Sequence, residues 1–165
     1  EMLGNEKVNV YEGLVDENNH DTVSLIAIDA DGIMSVGTTT NGLTYKIHGR
    51  VGDSPIPGGG SYVIQGIGGC GATGNGDIMV RFLPTYKAVQ HMANGSSPYE
   101  AIQLAMQEIR EIHPSFSGNM ICVAADGTHA SGTSNPNIPK RYVVRTMEME
   151  QAQIWTCPDG DCNAE

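Results

Sequence analysis

The sequence predicts an α+β chain, with helices layered on one face of an antiparallel sheet. Three observations predict it. Short, branched, apolar stretches broken by Asp-Gly turns lie towards both ends. Two stretches with helical spacing lie together between them. The resulting order, strands then helices then strands, segregates the two kinds of element rather than alternating them. A sheet covered on one face only leaves its other face needing a partner, and the chain shows no internal repeat.

The chain has 165 residues, 39% hydrophobic and 17% charged, enough apolar material for one globular core. Its net charge of −10 and the absence of a basic stripe disfavour nucleic acid as a partner. No apolar run reaches the length of a membrane span. The first residue is Glu1, so the chain is expected to begin inside a longer precursor.

Residues 1–21 are polar and aperiodic and read as a tail or linker. The character changes at Thr22. Val23 to Ile28, the Asp31-Gly32 turn and Ile33 to Thr39 read as a β-hairpin. Gly42 to Gly60 holds eight Gly or Pro residues and reads as a structured loop. Tyr62 to Gly69 reads as a strand weakened by its glycines. Asp77 to Met92 carries Ile78, Val80, Phe82, Leu83, Tyr86, Val89 and Met92 at helical spacing, with Pro84 expected to kink or restart it. Asn94-Gly95 closes that helix, and Asn94-Gly95-Ser96 is a glycosylation sequon in an expected surface turn. Pro98 opens a second helix with Ala101, Leu104, Ala105, Ile109 and Ile112 as core positions. Met120 to Ala125, His129 to Thr133 and Tyr142 to Thr146 read as the remaining strands, the last of these ending the sheet. Residues 22–150 are expected to form one folded half, and 151–165 a C-terminal tail.

The four cysteines allow three pairings. Cys157 and Cys162 flank a turn-rich stretch suited to a small disulfide loop, whereas Cys70 and Cys122 are expected as small core residues.

Three segments carry chemistry. The first is His20-Asp21-Thr22. A threonine hydroxyl is a poor nucleophile without a base. Exposed at a new chain start, Thr22 gains one in its own α-amine, whose ordinary pKa of about 7.7–8.0 suits the task. The second is Gly49-Arg50-Val51-Gly52-Asp53-Ser54-Pro55. Arg50 presents a planar fork for a carboxylate, and Asp53 an acceptor for an ammonium, the two groups an α-amino acid carries on one carbon. The third is Gly71-Ala72-Thr73-Gly74-Asn75-Gly76-Asp77, a glycine-rich approach to a helix that suits the oxyanion of acyl transfer and lacks a P-loop ending. None of these segments calls for a metal ion or a cofactor.

Together with Gly37-Thr38-Thr39-Thr40-Asn41-Gly42, Lys46-Ile47-His48 and Arg81-Phe82-Leu83-Pro84, these segments resemble the β subunit of the glycosylasparaginases, over residues 20–125. The resemblance implies an N-terminal nucleophile hydrolase. Such enzymes have a four-layer αββα sandwich, of which this chain supplies half. It implies self-cleavage between Asp21 and Thr22, with Thr22 as nucleophile and Thr40 tuning it. Arg50 would hold the substrate α-carboxylate and Asp53 its α-amino group, with Thr73 and Gly74 as oxyanion donors. It implies an α subunit as partner, two αβ units forming a heterotetramer, a glycosylated asparagine as substrate, and a lysosomal or secretory setting.

Two departures stand out. Val63 to Cys70 is unlike the acidic, alanine-rich run expected there, and Ile102 replaces the cysteine that would pair with Cys122 in the lysosomal form. Two alternatives remain beside this reading. One is an isoaspartyl peptidase with L-asparaginase activity, which shares the Gly49 to Pro55 segment. The other is an inactive, truncated half.

Overall fold

The computed structural model describes residues 22–43, 45–134, 140–157 and 162–164. The expected opening hairpin is present, as β1 (Val23–Ile28) and β2 (Met34–Thr39), paired antiparallel from Val23↔Thr39 to Ile28↔Met34. Its turn is held by Asp29, whose Oδ1 accepts from the N–H groups of Asp31 and Ile33, and by Gly32, which takes φ +79° without strain.

The central sheet has five strands in the order β3-β4-β5-β6-β9: β3 (Ser61–Ile64), β4 (Gly68–Gly74), β5 (Gly118–Ala124), β6 (His129–Thr133) and β9 (Cys162–Ala164). Every pairing is antiparallel. A further hairpin, β7 (Lys140–Val144) with β8 (Gln153–Cys157), forms its own two-stranded sheet. It is tied to β6 by edge-on ring contacts of His129 with Tyr142 and Trp155.

Helices α1 (Gly76–Phe82), α2 (Pro84–Ala93) and α3 (Pro98–Ile112) follow β4. The core lies where α2 and α3 cover the sheet. It contains Met79, Val89, Ile102, Met106, Ile109, Met120 and Cys122. The sheet's other face carries the β1–β2 hairpin. The layers are therefore helices, five-stranded sheet, hairpin.

Several expectations are corrected. Tyr62 to Gly69 is not one weak strand but the turn of a hairpin, with Gln65-Gly66-Ile67 between β3 and β4. Its glycines make room. Along β4, Cys70 and Ala72 face the helices, while Gly69 and Gly71 face the hairpin. A Cβ on Gly69 would sit 2.8 Å from Val36, and one on Gly71 would sit 2.6 Å from Ser24. The hairpin can lie this close only because those side chains are missing. Gln65 adds a clamp, accepting from Met34 N–H at 2.8 Å and donating to Met34 C=O at 2.7 Å.

Asp77 to Met92 is two helices, not one kinked helix. Leu83 sits between them at φ +51°, closing α1, and Pro84 starts α2 in the position where its missing N–H costs nothing. On α3 the buried stripe runs through Ala101, Ile102, Ala105, Met106 and Ile109. Leu104 and Ile112, expected in the core, are 42% and 66% exposed. The helix phase is set by the larger Ile102 and Met106 facing the sheet. Ser97 caps α3 in a reciprocal box with Glu100. Asn94, of the sequon, is exposed at the turn between α2 and α3. Tyr142 to Thr146 is not the last strand, since β8 and β9 follow.

Cys70 and Cys122 are not free core thiols. They face each other in the β4–β5 register and form a disulfide, so Cys122 has a partner without a cysteine at 102. Ile102 fills the core there instead. Cys157 and Cys162 form the expected small loop. No helix among the described residues is long and apolar enough to cross a membrane.

Candidate active site

The hairpin register brings the first pair of candidate residues together. Val23 pairs with Thr39, so Thr22 and Thr40, the next residues outward on each strand, face each other. Their hydroxyl oxygens are 2.9 Å apart. Thr40 Oγ1 also accepts from Gly42 N–H at 2.9 Å. That leaves the Thr40 O–H free to donate to Thr22. Asp21 lies outside the described residues.

The stacking of β1 on β4 bears on the third segment. Ile26 lies against Gly69 and Ser24 against Gly71. Ser24 reinforces the crossing through Thr38 Oγ1 at 3.3 Å and Ala72 C=O at 3.5 Å. Thr73 and Gly74 end β4, with Gly74 exposed. The Asn75 side chain beyond them accepts from Asp77 N–H and caps α1.

The second segment wraps a turn. Asp53 C=O accepts from Ile56 and Gly60 N–H, which holds the loop closed and buries Asp53 to 7% exposure. Its Oδ2 has no hydrogen-bond partner. Burial pushes the carboxyl's pKa above its ordinary value, a rise opposed by a backbone hydrogen bond and by the positive charge of Arg50.

Arg50 does not form the Arg50–Asp53 ion pair that a turn of this kind would suggest. Its guanidinium pairs with Asp77, with Nε at 3.2 Å and Nη2 at 3.0 Å from one carboxylate oxygen. Gly76 brings its backbone close to the Asp53 and Arg50 side chains. A Cβ there would lie 2.6 Å from Asp53 Oδ1 and 3.0 Å from Arg50 Nη2. Gly52 does the same on the other side, where a Cβ would lie 2.7 Å from Arg50 Nη1. A cavity of about 380 Å³ is lined by Thr40, Gly42, Lys46, Arg50, Gly52 and Ser54. Thr40 and Arg50 therefore face one space. Lys46 is turned to the loop, donating to Asn41 C=O at 2.7 Å.

Sequence reasoning gave Asp77 no role beyond the helix start. Its pairing with Arg50 spans 27 residues and leaves no local signal. Among the described residues no three His, Cys, Asp or Glu side chains converge as a metal site.

Residues 2–153 match the sequence profile of the asparaginase family. The chain belongs to the type 2 asparaginase family. Among its relatives, a probable isoaspartyl peptidase/L-asparaginase 3 from Arabidopsis thaliana is 45% identical over 143 residues, covering 87% of the chain and 39% of the relative. A putative N(4)-(beta-N-acetylglucosaminyl)-L-asparaginase from Drosophila grimshawi is 50% identical, covering 74% and 31%. The N(4)-(beta-N-acetylglucosaminyl)-L-asparaginase of Mus musculus is 40% identical, covering 76% and 36%. The chain thus spans about a third of the length of the curated relatives it matches.

Proposed function

We propose that this chain is the nucleophile-bearing half of an amidohydrolase that cleaves the side-chain amide of glycosylated asparagine. The observation that carries the reading is the 2.9 Å contact between the hydroxyls of Thr22 and Thr40 at the open end of the first hairpin.

In this reading Thr22 Oγ first attacks the carbonyl carbon of Asp21. The Asp21–Thr22 amide breaks, its nitrogen takes the hydroxyl proton, and water hydrolyses the resulting ester. The products are an Asp21 carboxylate and a free Thr22 α-amine. That amine then takes the proton of its own hydroxyl as Oγ attacks the substrate amide carbon. Thr40, donating to Oγ, stabilises the charge left on it. The Thr73 hydroxyl and Gly74 N–H receive the oxyanion, and the leaving amine departs with the proton. Water, giving a proton to the Thr22 amine, then hydrolyses the ester on Oγ, releasing aspartate and restoring the Thr22 hydroxyl. Arg50 holds the α-carboxylate and Asp53 the α-ammonium, which fixes the scissile carbon before Thr22. The open Oδ2 of Asp53 supports the last assignment.

The remaining sequence of the precursor would complete the site as an α subunit, and two αβ units would form a heterotetramer. Two features support a missing partner. A lone two-stranded hairpin is marginal in water, and the outer face of β1–β2 exposes Val23 at 59% and Leu25 at 67%. Strands added beside the hairpin, with a helical layer over that face, would give the four-layer αββα sandwich. Two disulfides fit an oxidising setting, in keeping with a secretory or lysosomal location.

A second reading is hydrolysis of isoaspartyl dipeptides and L-asparagine, favoured by the 45% identity to the plant relative across most of the chain. The test is the full-length precursor. Intact mass should reveal a fragment beginning at Thr22, and the cleaved protein should turn over glycosylasparagine faster than an isoaspartyl dipeptide. The reverse preference would select the second reading. Absence of cleavage and of turnover with both substrates would leave an inactive half.

A further inference from the structure

We propose that Asp77 is a positioning residue: it occupies one edge of the Arg50 guanidinium so that the other edge is presented to a substrate carboxylate. This rests on the assignment of Arg50 as the carboxylate fork.

A guanidinium offers two edges on which two N–H groups point the same way. The side-on edge is Nε with one terminal nitrogen, and the end-on edge is the two terminal nitrogens. Asp77 Oδ1 sits 3.2 Å from Nε and 3.0 Å from Nη2, which is the side-on edge. Nη1 points elsewhere, toward the backbone of Gly42 and Gly52. Cβ positions on those residues would lie 3.4 Å and 2.7 Å from it. Both residues line the cavity that Thr40 and Arg50 share. The end-on edge is thus the one left for a ligand, and only glycine at 52 leaves it clear.

Burial makes the arrangement matter. The Arg50 side chain is 14% exposed, whereas that of Asp77 is 59% exposed. A largely buried cation without a counter-charge is costly, and its long side chain would swing towards water. Asp77 supplies the charge from the outside of the site, anchored by Asn75. Asp53 is close enough for the Arg50 charge to act on its carboxyl, yet its Oδ2 accepts no hydrogen bond. With Asp77 removed, the Arg50 side chain would swing towards water and its end-on edge would leave the cavity, while Asp53 would stay in its turn.

The experiment uses the full-length protein and four variants: Asp77→Asn, Asp77→Glu, Arg50→Ala and the double variant carrying Arg50→Ala with Asp77→Asn. L-aspartate binding by calorimetry reads the carboxylate site without turnover. Kinetics on L-asparagine are compared with those on 3-aminopropanamide, which keeps the amine and the amide but lacks the α-carboxylate. Asp77→Asn should weaken L-aspartate binding and raise KM for L-asparagine by about tenfold or more, with kcat nearly unchanged. It should leave kcat/KM for 3-aminopropanamide alone. Asp77→Glu should recover part of the loss, and in the Arg50→Ala background Asp77→Asn should add little. Equal losses on both amides, full additivity with Arg50→Ala, or no change would overturn the proposal. So would failure of the unaltered protein to bind L-aspartate. If L-aspartate binds and responds to Asp77 while no amide is hydrolysed, the amidohydrolase reading fails and the positioning role stands.

Discussion

Thr22 and Thr40 are eighteen residues apart, and their hydroxyl oxygens lie 2.9 Å from each other. The Val23↔Thr39 register makes the pair, and Gly42 N–H fixes the second hydroxyl by donating to it. Thr22 thus has a polar neighbour whose own acceptor is partly used.

Thr40→Val should test that neighbour, since it removes the hydroxyl at nearly constant shape. One hydrogen bond to a developing charge is worth about 1.5–3 kcal/mol, so kcat should fall about tenfold or more. KM should change little, and Thr40→Ser should retain most of the rate. Equal kcat for Thr40→Val and the unaltered protein would remove Thr40 from the mechanism.

At Arg50 the expected loss is in binding. Arg50→Ala should raise KM about tenfold to a few hundredfold, the value of a charged bidentate contact. Arg50→Lys should recover only part, because it cannot contact Asp77 and a ligand through two edges at once. Steady-state kinetics on both variants, with thermal unfolding as the folding control, checks this.

Asp53 predicts a pH signature. Its folded pKa is raised above 3.8 by burial, so the folded state holds this proton more tightly than the unfolded chain does. The cost of the charge is absent below 3.8, grows as pH rises through the folded pKa, and persists above it. Asp53→Asn should therefore be no less stable than the unaltered protein at pH 7, with the difference closing near pH 4. The same variant should lose affinity for the substrate ammonium, and its KM should lose the acidic limb. Marked destabilisation at pH 7 alone would show that Asp53 is held by a contact other than its open oxygen.

The Cys70–Cys122 bridge closes a segment with a sequence separation of 52. Replacing both residues by Ala should cost about 2–4 kcal/mol, through loop entropy regained by the unfolded chain. Denaturant unfolding under oxidising conditions measures it. Reducing agent should lower the stability of the unaltered protein by more than that of the double variant, which keeps only the small Cys157–Cys162 loop.

Much was legible without coordinates. The β1–β2 hairpin follows from branched residues around Asp31-Gly32. The start of α3 follows from Ser97, Pro98 and Glu100, and the small loop from Cys157 and Cys162. All are local: a turn, a cap or a short ring needs only neighbours in the chain. The Arg50–Asp53 and Thr22 segments could also be singled out by residue type, while the roles given to them belong to the proposed function.

What tertiary structure decided was which distant groups meet. Glycines that read as a weakness in β4 turn out to be the spaces into which Ser24 and Val36 fit. Leu104 and Ile112 had the spacing of core residues, yet the sheet selected Ile102 and Met106, because a helix can turn about its axis to bury its best-fitting stripe. Cys70 and Cys122 became a pair only when the β4–β5 register set them opposite each other. Arg50 found Asp77, 27 residues on, rather than Asp53 in its own turn. Local sequence determines conformations a few residues long. Pairings across tens of residues depend on close packing and register, which exist only once the layers have assembled.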